Sequence, residues 1–177
     1  YKDKYLAKKN AKLVLRLTGC DAVKIESNKK NFKIIKELVK SNIPVMGHVG
    51  YTPQFKKKFK IEGDTNLKAN KLLKEALLIE KAGAFSIVLE CLAPKASKLI
   101  TSKLKIPTIG IGSSKYCDGQ ILVTDDMLGL SGFYPKFVKK YSLLNKIIKK
   151  AVKEYSRDVK LEKFPSKRNY LNGSKSK

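Results

Sequence analysis

Arginine is scarce in this sequence. Of its 39 basic residues only Arg16, Arg157 and Arg168 are arginines, against 15 acids and a net charge of +24. Proteins that read nucleic-acid bases favour arginine for its bidentate contacts. The lysines are also spread over every polar stretch rather than gathered on one segment. The charge therefore points to a lysine-biased composition with weak, salt-sensitive attraction to polyanions, and no specific nucleic-acid partner is expected. Cysteine occurs three times, as Cys20, Cys91 and Cys117, an odd number without metal-like spacing; a reducing, cytoplasmic setting fits. No run approaches the about 18 apolar residues of a membrane span. The N-terminus, "YKDKYLAKKN", has no secretory pattern, and Tyr1 stands where an initiator methionine would. The chain is accordingly expected to be processed, trimmed or partial.

What is present is alternation. Residues 5–17 read as a helix, "DAVKIE" (21–26) as a short strand, and "NFKIIKELVK" (31–40) as a helix. "IPVMGHVG" (43–50) reads as a buried strand. The amphipathic "NLKANKLLKEALLIEKAG" (66–83) is a helix stopped by Gly83, and "AFSIVLEC" is the strand after it. A helix with proline at its start (94–104), a strand at 106–112, a further strand at 120–128 and one or two helices over 135–159 complete the series. Strands starting about 22 residues apart suit βα units with parallel strands. Such a series leaves an open doubly wound sheet or a closed barrel. Five strands, where a closed barrel has eight, predict an α/β fold that is a partial (β/α)8 barrel. It occupies residues 1–164 as a single domain, and 165–177 form a polar tail.

In parallel α/β folds the carboxyl ends of the strands carry the site. Here those ends hold Lys24 and Glu26, then His48 (the single histidine), then Glu90, then Gly110 and Gly112, then Asp125 and Asp126. Alternation puts Lys24 and Glu26 on one face, opposite Val23 and Ile25. A carboxylate ending the apolar run "AFSIVLE" sits at the rim of a dry core, where partial burial makes it a stronger proton acceptor. Each residue also has a plainer reading. Lys24 reads as a surface lysine, Glu26 as its ion-pair partner, His48 as a hydrogen-bonded core histidine and Glu90 as a strand meeting solvent. The two glycines read as packing positions and the aspartates as an N-cap pair.

Several longer motifs narrow the choice. "DAVKIE", "IPVMGHVGYTPQ", "AGAFSIVLEC", "IPTIGIGSSKYCDGQILVTDDMLGL" and "PKFVKKY" occur in order, and together they resemble the ketopantoate hydroxymethyltransferase (3-methyl-2-oxobutanoate hydroxymethyltransferase) family over residues 5–166. The resemblance implies a barrel of the phosphoenolpyruvate/pyruvate type and transfer of a hydroxymethyl group from 5,10-methylenetetrahydrofolate to 3-methyl-2-oxobutanoate. The product would be 2-dehydropantoate, in pantothenate biosynthesis. It implies Mg2+ as cofactor and a homo-oligomer, commonly a decamer. By the same resemblance Glu90 is the proton acceptor, Lys24 binds the keto acid, Glu26 belongs to the Mg2+ site and His48 lines the substrate pocket, touching product or orienting Glu90.

Two departures from the family pattern stand out. After the Thr-Pro-Gln motif the family has a glycine pair and, further on, an arginine; here Lys57-Lys58 and Asp64 stand instead. The family's first three strands, with an Asp-Ser pair and a further Asp for the metal and keto acid, have no counterpart before "DAVKIE". These 177 residues by themselves are thus expected to bind Mg2+ poorly and to turn over little. The competing readings are an inactive fragment or degenerate paralogue kept for assembly, a basic polyanion-binding module, and a related lyase or mutase of the same superfamily.

Overall fold

The computed structural model describes residues 3–26, 31–56 and 59–170. Its elements run α1 (Lys4–Thr18), β1 (Val23–Lys24), α2 (Phe32–Lys40), β2 (Val45–Gly50), α3 (Asn66–Lys81), β3 (Ser86–Glu90), α4 (Pro94–Lys103), β4 (Thr108–Ile111), β5 (Gly119–Gln120), α5 (Thr124–Leu128) and α6 (Leu144–Lys160). The chain divides into two compact units, residues 1–121 and 122–177. Among the described residues no helix is long and apolar enough to cross a membrane.

In the first unit the five strands form one parallel sheet in the order β1-β2-β3-β4-β5. That order excludes a doubly wound sheet, whose strand order reverses at a switch point. The right-handed rule for crossovers between parallel neighbours puts the connecting helices α2, α3 and α4 on the same face, and the packing of α3 and α4 agrees. Ile79 of α3 lies against Gly47 of β2, where a Cβ would come within 2.4 Å of its Cγ2. Thr101 of α4 meets Thr108 of β4, their hydroxyl oxygens 2.9 Å apart. Gly47 and Thr108 belong to the row set Val23, Val45, Gly47, Ile87, Thr108, so this face carries the helices. A sheet wound in one sense with helices on one face is a sector of a (β/α)8 barrel.

The core lies between sheet and helices. Ile35, Leu38, Val45, Ile79, Ile87, Leu89 and Ile100 are buried there, each contributing about 1.5–3 kcal/mol by leaving water. The helices start and stop for local reasons. The Asp3 side chain accepts from Leu6 N–H and the Thr65 hydroxyl from Lys68 N–H, capping α1 and α3. Pro94 opens α4. Gly83, with φ of 95°, follows the end of α3 as the sequence predicts. Asp118 ties the start of β4 to the loop before β5, its Oδ2 accepting from both the Thr108 N–H (2.8 Å) and its hydroxyl (2.9 Å).

The expected strand at 120–128 is corrected. Pairing covers only Gly119 and Gln120, extended by one bond from Ile121 N–H to Gly110 O, and residues 124–128 are helical. Asp125 and Asp126 stand in the first turn of that helix, where its dipole favours them, but neither side chain caps it. The second unit also holds α6, an exposed amphipathic helix with Ile147, Ile148, Val152 and Tyr155 on its surface. Residues 135–143 are not helical, and the short 3-10 turn Lys167–Asn169 follows α6. Lys57, Lys58 and the last seven residues of the expected tail lie outside the described residues.

Candidate active site

The face away from the helices is set by register. Lys24 pairs with Met46 and Met46 with Ser86; His48 pairs with Val88 and Val88 with Ile109; Gly50 pairs with Glu90 and Glu90 with Ile111. Lys24, His48 and Glu90 therefore share this face, and Glu26, two residues beyond Lys24, joins them by alternation. All four are at or near the carboxyl ends of neighbouring strands. Gly110, by contrast, packs in the sheet, where a Cβ would lie 2.9 Å from Gln120 Oε1. Gly112 turns the chain with φ of 58°.

His48 is fully buried, and its Nε2 lies 3.1 Å from Oε2 of Glu90, whose side chain is 15% exposed. The distance is that of an ion pair, but the direction falls outside hydrogen-bond geometry, so neither ring nitrogen of His48 has a hydrogen bond among the described residues. A buried imidazole left in this condition requires a reason. In unliganded sites such contacts are often misaligned and tighten when substrate binds. Glu26 is buried at 6% exposure, and its Oε2 accepts the Gln54 N–H at 3.0 Å. Lys24 is exposed and makes no ion pair among the described residues, with Glu26 or any other acid.

The sheet's edge around Glu90 is held by groups that no local sequence pattern announces. Cys91 adopts φ of 55°, a left-handed conformation unusual for a side-chain-bearing residue. Its N–H donates to Ile111 O (2.9 Å), and its carbonyl accepts from Glu62 N–H (2.8 Å). The Glu90 carbonyl accepts from Tyr51 N–H at 2.9 Å. Lys56 joins Gly50 O (2.7 Å) to the Glu62 carboxylate (2.8 Å). The segment 59–64 is thus docked on the end of β3, despite its altered sequence. Asp64 pairs with Lys68 at 2.8 Å. The hydrogen bond from that ammonium holds its carboxyl below the usual aspartate value.

Burial first, and then the negative charges of Glu90 and Glu62, push the Cys91 thiol up to about 12. It stays protonated and is no nucleophile at neutral pH. Among the described residues no group of three His, Cys, Asp or Glu side chains comes together as a metal centre. Glu26 is a single carboxylate already engaged by a backbone donor. The described residues therefore do not by themselves fit a Mg2+ ion.

The family model for ketopantoate hydroxymethyltransferase matches residues 1–167. The chain belongs to the ketopantoate hydroxymethyltransferase family. Curated relatives named 3-methyl-2-oxobutanoate hydroxymethyltransferase agree. That of Pelagibacter ubique is 46% identical over 169 residues, covering 96% of this chain and 66% of the relative. That of Clostridium botulinum is 47% identical over 169 residues, covering 93% and 62%. That of Pseudothermotoga lettingae is 48% identical over 167 residues, covering 92% and 63%. The chain spans less than two thirds of the length of each of these relatives. Among solved structures, a dihydrodipicolinate synthase overlaps 61% of this chain and 39% of its own, at 12% identity and a TM-score of 0.45, too partial an overlap to carry an argument. This chain of the ketopantoate hydroxymethyltransferase family carries "VKIE", "GHVG" and "VLEC" at the ends of β1, β2 and β3.

Proposed function

We propose that this barrel sector binds a branched 2-keto acid and removes the proton from its carbon 3. The full reaction would be hydroxymethyl transfer from 5,10-methylenetetrahydrofolate to 3-methyl-2-oxobutanoate, giving 2-dehydropantoate. The observation that carries the reading is the shared face: the exposed cation Lys24, without an ion pair among the described residues, with Glu90 and the buried His48, at adjoining strand ends. Glu90 takes the proton, and the electron pair left behind moves onto the keto oxygen as an enolate. The Lys24 ammonium offsets that developing charge. Carbon 3 of the enolate then attacks the one-carbon unit. Water supplies the hydroxyl of the new CH2OH group, both carbon–nitrogen bonds of the methylene bridge break, and the two nitrogens of the departing tetrahydrofolate take up the proton held by Glu90 and one from the water. His48, 3.1 Å from Glu90, keeps the carboxylate aimed at the carbon-bound hydrogen.

Mg2+ enters the proposal through Glu26, as one ligand among several that the described residues do not supply. A homo-oligomer is proposed as in the family, and the exposed apolar row on α6 supports some form of association. Three free cysteines support a reducing, cytoplasmic setting.

The test is exchange of the carbon-3 hydrogen of 3-methyl-2-oxobutanoate for solvent deuterium, followed by proton magnetic resonance. The chain is expected to promote slow exchange above the solvent background, and Glu90→Gln to return it to background. Equal rates for the two proteins would sink the proposal and favour a degenerate paralogue.

A further inference from the structure

The dipeptide Glu90-Cys91 ends β3 in a strained conformation, and one side chain bridges it. The Ser113 hydroxyl donates to Leu89 O at 2.6 Å and accepts from Leu92 N–H at 3.2 Å. Those two backbone groups flank Glu90-Cys91, where the left-handed φ of Cys91 breaks the regular ladder. Ser113 thus adds a side-chain bridge where the ladder between β3 and β4 ends. It comes from the turn after β4, directly beyond Gly112.

We propose that Ser113 is a positioning residue for Glu90, acting through the backbone on both sides of it. A left-handed residue persists only where its surroundings over-determine it. The other bonds here are the ladder pairings of Glu90 with Gly50 and Ile111, the bonds from Tyr51 N–H to Glu90 O and from Cys91 N–H to Ile111 O, and that from Glu62 N–H to Cys91 O. Among the described residues the Ser113 hydroxyl is the side chain that bonds on both sides of the dipeptide, so removing it loosens the left-handed turn at Cys91 that fixes how β3 ends beside Glu90. A misplacement of about 1 Å of a reacting group can cost about a hundredfold in rate. The rate part of this inference rests on Glu90 as proton acceptor; the geometric part does not.

The chain contains one histidine, and its ring lies 3.1 Å from the Glu90 carboxylate. The imidazole carbon and nitrogen resonances of histidine-labelled protein therefore report where Glu90 points, whether or not turnover occurs. In Ser113→Ala these signals are expected to move. Deuterium exchange into 3-methyl-2-oxobutanoate at saturating keto acid should fall about tenfold or more, with the half-saturating concentration unchanged. Ser113→Thr, which keeps the hydroxyl, should restore both. A purely structural role would lower the unfolding midpoint and leave the folded protein's imidazole signals at their wild-type positions. Should Ser113→Ala fail to fold by circular dichroism, Ser113→Cys carries the same expectation, since a thiol is a weaker donor. A folded variant with unmoved His48 signals overturns the proposal, as does a loss confined to half-saturation. Exchange in the wild type that does not depend on Glu90 overturns the functional reading instead, and the imidazole signals then decide the positioning alone.

Discussion

His48 and Glu90 meet across neighbouring strands, Nε2 to Oε2 at 3.1 Å, although their backbones are two register positions apart: His48 pairs with Val88 and Glu90 with Gly50. The contact is diagonal. The buried ring therefore has its closest acid on the adjoining strand's last residue. This is how a dry strand comes to end on a carboxylate: the acid faces an imidazole on the inner side while Leu89, one residue earlier, fills the core on the other.

Glu90→Gln is close to isosteric and keeps a polar group against His48. It should leave the fold unchanged while lowering carbon-3 exchange by about 10²–10⁴-fold, the range for removing a positioned general base. Deuterium exchange and circular dichroism on the same samples check the two halves.

Lys24 allows fold and function to be separated. It is exposed and lacks an ion pair among the described residues, so Lys24→Ala should change stability by less than about 0.5 kcal/mol. The same change removes a cation on the face with Glu90 that no carboxylate engages among the described residues. Titration of 3-methyl-2-oxobutanoate against the His48 imidazole signals should show the wild type saturating and the variant at least about tenfold weaker. Equal affinities would refute Lys24 as the keto-acid contact.

Much of this sector was legible because its elements obey local rules. The periodicity of residues 66–81 and the mostly apolar runs of β2 and β3 follow from burial on one or both faces. The residues at strand ends then followed from topology alone. The stretch 120–128 misled because Ile121, Leu122 and Val123 have high β propensity. Propensity needs a partner to act, and Ile121 and Val123 are exposed. The helix that replaces the strand had its own local marks, two acids in its first turn and Gly129 after its end. Gln54, Glu62 and Ser113 escaped notice for a different reason. Each acts on Glu26 or the end of β3 from 20 or more residues away, mainly through backbone groups, which leave no periodic trace.

The three thiols should differ in reactivity in an order set by burial. Cys20 is exposed, whereas Cys91 and Cys117 are buried, and burial raises both buried thiols, Cys91 to about 12. At pH 8 an alkylating reagent should modify Cys20 alone, with the other two reacting only after denaturation; mass spectrometry of the peptides reads this directly. The same shift has a consequence for stability. Between the ordinary thiol value of 9.0 and about 12, the folded chain keeps a proton on Cys91 that the unfolded chain has released. Stability conferred by the neutral buried thiol is therefore complete below about pH 9 and falls as pH rises through that window. Cys91→Ala should remove this component of the alkaline loss.

Gly50 joins backbone necessity to the site. Its φ of 104° lies where side-chain-bearing residues are strained, and a Cβ there would stand 2.1 Å from the carbonyl oxygen of Glu90 and 2.3 Å from Leu92 Cδ1. The methyl of Gly50→Ala would meet backbone, which cannot turn aside as a flexible side chain would. The end of β3 would have to shift instead. Strain and overpacking together predict a loss of about 2–4 kcal/mol, measured by urea denaturation. Gly132→Ala is the control, since that glycine has no positive φ and nothing within 4 Å of its would-be Cβ; it should cost less than about 0.5 kcal/mol. Because the displaced atom is the carbonyl of Glu90 itself, Gly50→Ala should also move the His48 imidazole signals in whatever fraction remains folded, while Gly132→Ala leaves them in place. A Gly50→Ala protein as stable as the wild type, with unmoved His48 signals, would mean that the end of β3 is not held against β2 in the way described.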